Sequence, residues 1–206
     1  RDGLQNEKTI LTLEEKLTLT EMLVKSNPAS VEVTSFVRAD RVPALADAKQ
    51  LCEAISQQEW HANARANGMR FAGLVPNMRG LENLLEAGRL GCPDVAVLIT
   101  SCTDSHSKAN VGKPIKEALK NTMDVLELAK KEGLGVIAYC SMAFGCPFEG
   151  ETDPKVVEDI AMAYYEGGAE LIGLADTLGK AKPTKVQETV SGVLKRLGGG
   201  DEAAGR

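Results

Sequence analysis

The sequence predicts a parallel α/β fold, and three observations carry that prediction. Strand-like and helix-like stretches alternate without a break from Thr12 to Leu197. The strand-like stretches lack the polar alternation of a half-solvated sheet, so both faces are expected to be buried, as in a parallel sheet layered by helices. Neither a G-x-G-x-x-G nor a P-loop motif occurs, which leans away from a nucleotide-binding open sheet. Two architectures fit the alternation: an open doubly wound sheet and a (β/α) barrel.

The elements follow in order. Thr12 and Glu15 form a T-x-x-E capping box, and Leu13, Leu17 and Val24 share one face, so a helix runs from here to Asn27-Pro28. "SVEVTSFV" is short and β-branched, a strand. "VPALADAKQLCEAI" is helical, and "MRFAGLVP" is the next strand. Asn77 caps a helix through "NMRGLENLLEAG", with Leu81, Leu84 and Leu85 inward and Gly88 terminating it. "DVAVLITS" is an apolar run of strand length. Pro114 opens a helix with Ile115, Leu119, Met123 and Leu126 on one stripe and Gly133 beyond its end. "LGVIAYCS" is a strand, Asp153-Pro154 opens a helix that closes at Gly167, and "AELIGLAD" is the last strand. Pro183 opens the final helix, with Val186, Val190, Val193 and Leu197 inward. The expectation is five strands and six helices. Residues 1–197 form the catalytic barrel segment, and the Gly-rich 198–206 forms a disordered tail.

Polar residues collect where these strands end. Asn77 follows one strand, Thr103, Asp104 and His106 the next, Ser141 the next, and Asp176 with Thr177 the last. A barrel builds its active site at the carboxyl ends of its strands. Glu32 is different, because it lies between Val31 and Val33 inside a strand. A carboxylate there costs several kcal/mol, of order 2–5, unless it is paired with a cation, and Arg1 is the obvious partner. If Arg1 and Asp2 also end a strand, that strand lies before residue 1.

Bulk properties exclude several classes. A chain of 206 residues is long enough for one domain with a real core. A net charge of -5 argues against a nucleic-acid partner, which requires a basic face. No apolar run approaches the roughly 18 residues that span a bilayer, so no membrane is expected as a partner, and no targeting segment is visible. The five cysteines form no C-x-x-C pair and read as reduced, packed thiols. His106 reads as a loop residue, and His61, after Trp60 in a polar connection between helix and strand, reads as solvated.

Several motifs carry a resemblance. "RDGLQNE", "VEVTSFV", "PN", "SKAN", "GCPFEG" and "ADTLG", in this order, resemble the 3-hydroxy-3-methylglutaryl-CoA lyase family over nearly the whole chain, to about Leu197. Related isopropylmalate and homocitrate synthases carry Glu where Leu4 stands. The resemblance implies a TIM (β/α)8 barrel, incomplete here, without its first strand and its last two. It implies cleavage of hydroxymethylglutaryl-CoA to acetyl-CoA and acetoacetate, assisted by Mg2+ or Mn2+. Asp2 matches the family's metal-binding aspartate, a hard oxygen ligand. Arg1 stays charged and stabilises an enolate oxygen. Glu32 and Asp176 match carboxylates that support the metal, Arg1 and proton transfer, and Gln5 matches a position near the substrate. Cys146 lies in a GCP motif that is not the catalytic one, so it reads as structural.

The family's H-x-H-D and GLGGCPY stretches do not occur in these residues. The expectation is therefore an inactive fragment of a leucine-degrading, ketone-body-forming lyase, in the mitochondrial matrix if eukaryotic and the cytoplasm if bacterial. A condensing synthase of the same superfamily and a truncated, non-catalytic association module are the alternatives. A homodimer is left open.

Overall fold

A computed structural model describes residues 2–89 and 91–198; at Asp2 it describes the backbone alone. The expected Gly-rich tail lies outside the described residues from 199 onward, and so does Arg1. The five strands are β1 (Ser30–Ser35), β2 (Arg70–Leu74), β3 (Val95–Ser101), β4 (Gly135–Ser141) and β5 (Leu171–Leu174), ordered β1-β2-β3-β4-β5 in one sheet. Pairing is parallel, with Val31 opposite Phe71, Leu74 opposite Val97 and Tyr139 opposite Gly173. This is the α/β architecture of an incomplete (β/α)8 barrel.

Nine α-helices are described: α1 (Asp2–Asn6), α2 (Leu13–Lys25), α3 (Ala48–Ser56), α4 (Glu59–Ala66), α5 (Met78–Gly88), α6 (Asp104–Val111), α7 (Ile115–Lys131), α8 (Pro154–Glu166) and α9 (Pro183–Arg196). The capping signals act as the sequence implies. Thr12 and Glu15 satisfy each other's backbone N–H groups at the start of α2. Asn77 Oδ1 accepts from Gly80 N, and Asp153 Oδ1 from Lys155 N.

The chain divides into two compact units, Arg1–Val97 with Ala129–Gly135, and Leu98–Leu128 with Val136–Arg206. In the first, α3 packs on α2, α5 and β1 around the fully buried Leu51, Ile55, Phe71, Leu81 and Leu84. In the second, α8 packs on α9 and β5, and Leu98, Leu126, Ile160 and Tyr164 are fully buried. Each such aliphatic side chain contributes about 1.5–3 kcal/mol by leaving water. Among the described residues no helix is long and apolar enough to cross a membrane.

Several expectations are corrected. Asp2 to Asn6 form a helical turn, while Arg1 and any strand before it lie outside the described residues. His106 lies in α6 rather than in a loop, and His61 lies in α4, only 3% exposed. Both helices lack an apolar stripe, so periodicity leaves them invisible. His61 is buried because its ring packs edge-on against Phe71, with centroids 4.6 Å apart. The strands are not all buried on both faces: Leu171 is 50% and Ile99 37% exposed.

Candidate active site

In the first unit, β1 carries Glu32 between the buried Val31 and Val33, and Glu32 is half-buried. The β1–β2 register slips between Glu32 and Thr34. Such bulges re-aim side chains and are common beside active sites. Beyond it the hydroxyls of Thr34 and Ser35 are buried, with no hydrogen-bond partner among the described residues. Glu32 lines a cavity of about 270 Å³ together with Leu4, Glu7, Lys16, Val31 and Val33. Lys16 is 2% exposed, and its ammonium donates to Ala44 O at 2.7 Å and Asp47 Oδ1 at 2.6 Å. Sequence inspection misses Lys16, because its partners stand 28 and 31 residues away. Gln5 is exposed on α1. The expected partner of Glu32, Arg1, and the carboxylate of Asp2 lie outside the described residues.

In the second unit, the carboxyl ends of β3, β4 and β5 are tied together by polar side chains. Ser101 Oγ bonds His106 Nδ1 at 2.7 Å, and Thr103 Oγ1 donates to Cys146 Sγ at 3.0 Å. Ser141 Oγ bonds Thr177 Oγ1 at 3.1 Å, and Thr177 Oγ1 also accepts from Met142 N at 3.0 Å. Met142 holds a left-handed backbone, φ 61°, which a side-chain-bearing residue adopts only under such constraint. Its carbonyl accepts from Thr152 Oγ1 at 2.7 Å. Asp176 is exposed, and its two oxygens accept from Lys180 N at 3.2 Å and Ala181 N at 2.9 Å. A carboxylate has about four lone-pair sites, so capacity remains for another donor. Burial lowers the basicity of His106 below that of a free imidazole.

The thiols are inert by environment. All five cysteines are free and buried. A hydrogen bond with Cys52, then burial, pushes the Cys92 thiol far up, and Cys140 acts likewise on Cys102, so both stay protonated.

A divalent cation needs several hard ligands converging on one point. Among the described residues, no three His, Cys, Asp or Glu side chains group closely enough to hold a metal. The described residues therefore do not by themselves fit the implied cation.

A protein-family model described as HMGL-like matches residues 1–204. The chain belongs to the HMGL-like family. Within this family it is 35% identical to the hydroxymethylglutaryl-CoA lyase of Bacillus subtilis, over 96% of this chain and 62% of that protein. It is 32% identical to the cytoplasmic 3-hydroxy-3-methylglutaryl-CoA lyase of Mus musculus, covering 96% of this chain and 54% of that one. The crystal structure of the Bacillus subtilis HMG-CoA lyase superposes with a TM-score of 0.85 at 35% identity, covering 95% of this chain and 62% of that one. An HMG-CoA lyase from Acinetobacter baumannii in complex with coenzyme A and 3-methylmalate superposes with a TM-score of 0.83 at 28% identity, covering 95% of this chain and 60% of that one. The chain thus spans roughly three fifths of the length of the family members it matches. Mitochondrial members, such as that of Bos taurus, are also similar, at 32% identity.

Proposed function

We propose that the protein containing this chain is a carbon–carbon lyase that cleaves 3-hydroxy-3-methylglutaryl-CoA to acetyl-CoA and acetoacetate. The observation that carries this reading is the HMGL-like match across residues 1–204, with relatives named as HMG-CoA lyases over nearly the same span. In the cleavage, a base takes the proton of the tertiary hydroxyl. The electron pair of that O–H bond forms the ketone of acetoacetate. The carbon–carbon bond breaks, and its pair becomes the enolate of acetyl-CoA, which is then protonated. Glu32 and Asp176 serve the proton transfers. The half-buried setting of Glu32 beside a cavity and the spare lone pairs of Asp176 support those roles. Arg1 binds the thioester oxygen and stabilises the enolate, and Gln5 contacts substrate. Asp2 would contribute one ligand to Mg2+ or Mn2+, which would supply a Lewis acid for the substrate oxygens. The acyl-CoA is the partner, a homodimer is the assembly proposed, and the compartment is the mitochondrial matrix or the cytoplasm according to source.

The test is acetoacetate release from hydroxymethylglutaryl-CoA. A restored full-length protein is expected to produce it with added Mg2+, and the 206-residue chain alone is expected to give none above the buffer blank. A full-length protein that instead condenses an acyl-CoA with a keto acid overturns the lyase reading in favour of a synthase. Turnover by the short chain overturns its assignment as an inactive fragment.

A further inference from the structure

The bulge in β1 decides which way two hydroxyls point. One face of β2 is covered by helices. Phe71 there packs against the His61 ring of α4, and a Cβ built on Gly73 would meet Leu84 Cδ1 of α5 at 3.4 Å and Phe36 Cε2 at 2.8 Å. Ala72 and Leu74 face the other way, because residues alternate across a strand. Residues paired across a parallel ladder share a face, and the register pairs Val31 with Phe71, Glu32 with Ala72, Thr34 with Gly73 and Ser35 with Leu74. Val33 is the extra residue of the bulge. Under unbroken alternation Ser35 would share the helix-covered face with Val31. The bulge instead turns Thr34 to the helices and sends Ser35, the last residue of β1, to the face that carries Glu32. Phe36 follows on the helix side, against Gly73, as alternation about Ser35 requires. Thr34 is 0% and Ser35 1% exposed, and among the described residues neither hydroxyl has a hydrogen-bond partner. Leaving a buried hydroxyl unbonded costs stability, so an orphan beside a carboxylate at the carboxyl end of a barrel strand calls for a reason.

We propose that Ser35 is a substrate-binding residue whose hydroxyl donates to an oxygen of the acyl group of an acyl-CoA, and that the β1 bulge brings it to the face of Glu32 for that purpose. This rests on the acyl-CoA reading above and deepens it, because it assigns a contact with the acyl group to one hydroxyl. The chemistry of the two neighbours is complementary. An ionised carboxylate only accepts, whereas a serine hydroxyl donates, so Glu32 takes the proton of the substrate hydroxyl while Ser35 holds an oxygen of the same group. Thr34 carries the same orphaned hydroxyl on the opposite face, and it is the internal control.

The experiment uses the restored full-length protein and titrates 3-hydroxy-3-methylglutaryl-CoA and plain coenzyme A separately by calorimetry, alongside thermal melts without ligand. Ser35→Ala is expected to weaken the acyl-CoA about fivefold, the worth of one hydrogen bond, with coenzyme A affinity unchanged. The same variant is expected to raise Tm by about 2–4 °C, because it removes a buried hydroxyl that the protein itself leaves unbonded. Thr34→Val is expected to raise Tm similarly and to leave both affinities unchanged. Gain of stability with loss of binding, confined to position 35, is the signature of a group kept for a ligand. An unchanged acyl-CoA affinity in Ser35→Ala, an equal loss for both ligands, or an equal loss in Thr34→Val overturns the proposal. A fall in Tm for Ser35→Ala also overturns it, since the hydroxyl would then serve the fold. A wild-type protein that binds the acyl-CoA but does not cleave it ends the lyase reading and leaves this one standing. A wild-type protein that binds no acyl-CoA ends both.

Discussion

Lys16 of α2 and Asp47, just before α3, make a 2.6 Å ion pair in which the lysine is 2% exposed and the aspartate 28%. Removing Asp47 leaves the buried ammonium, among the described residues, with the Ala44 carbonyl alone as its hydrogen-bond partner. Asp47→Ala is therefore expected to destabilise the fold by about 3 kcal/mol, and Lys16→Met, which removes the buried charge itself, by only about 1 kcal/mol. Urea unfolding of both variants measures the difference, and equal losses would contradict the asymmetry.

Asp176 is proposed both to brace a turn and to move a proton. Asn at this position keeps one oxygen for the N–H groups of Lys180 and Ala181 and loses the charge. Asp176→Asn in the full-length protein is expected to shift Tm by no more than about 3 °C, as for a loss below ~1 kcal/mol, while turnover falls about 10²-fold or more. Parallel losses of stability and turnover would reduce Asp176 to a turn residue.

Arg1 is proposed to stabilise the enolate, whose charge appears mainly in the transition state. Arg1→Gln is expected to lower kcat by about 10²–10³-fold with far less change in KM. An effect confined to KM would remove Arg1 from that role.

His61 has its basicity lowered, first by burial and then by the Arg65 guanidinium, with Asp94 and a bond to Gly91 opposing. Its Nε2 has no hydrogen-bond partner among the described residues. Below the unfolded value of about 6.5 the unfolded chain takes a proton that the folded one refuses, so stability is present above that pH and is lost as pH falls through the lower folded value. Denaturation midpoints measured from pH 7.5 to 5 are expected to decline, and His61→Leu is expected to flatten the decline, leaving the part due to His106, which burial shifts the same way. An unaltered slope would place the effect elsewhere.

The amino-acid order by itself determined the five strands, the capped helices at Thr12, Asn77 and Asp153, and the family, through motifs running from "RDGLQNE" to "ADTLG". These are local signals: a capping residue, an apolar stripe or a β-branched run acts within a few positions of itself. Tertiary structure alone decided that "EWHANARA" and "DSHSKANV" are helices, since neither has a stripe and both depend on what packs around them. It also decided the bulge after Glu32, the burial of Lys16 on Asp47, the meeting of Ser141 with Thr177 and the close approach of the Tyr139 ring to Gly173. Each of these joins positions far apart in the chain, where the energy of contact depends on distances that only the folded backbone sets.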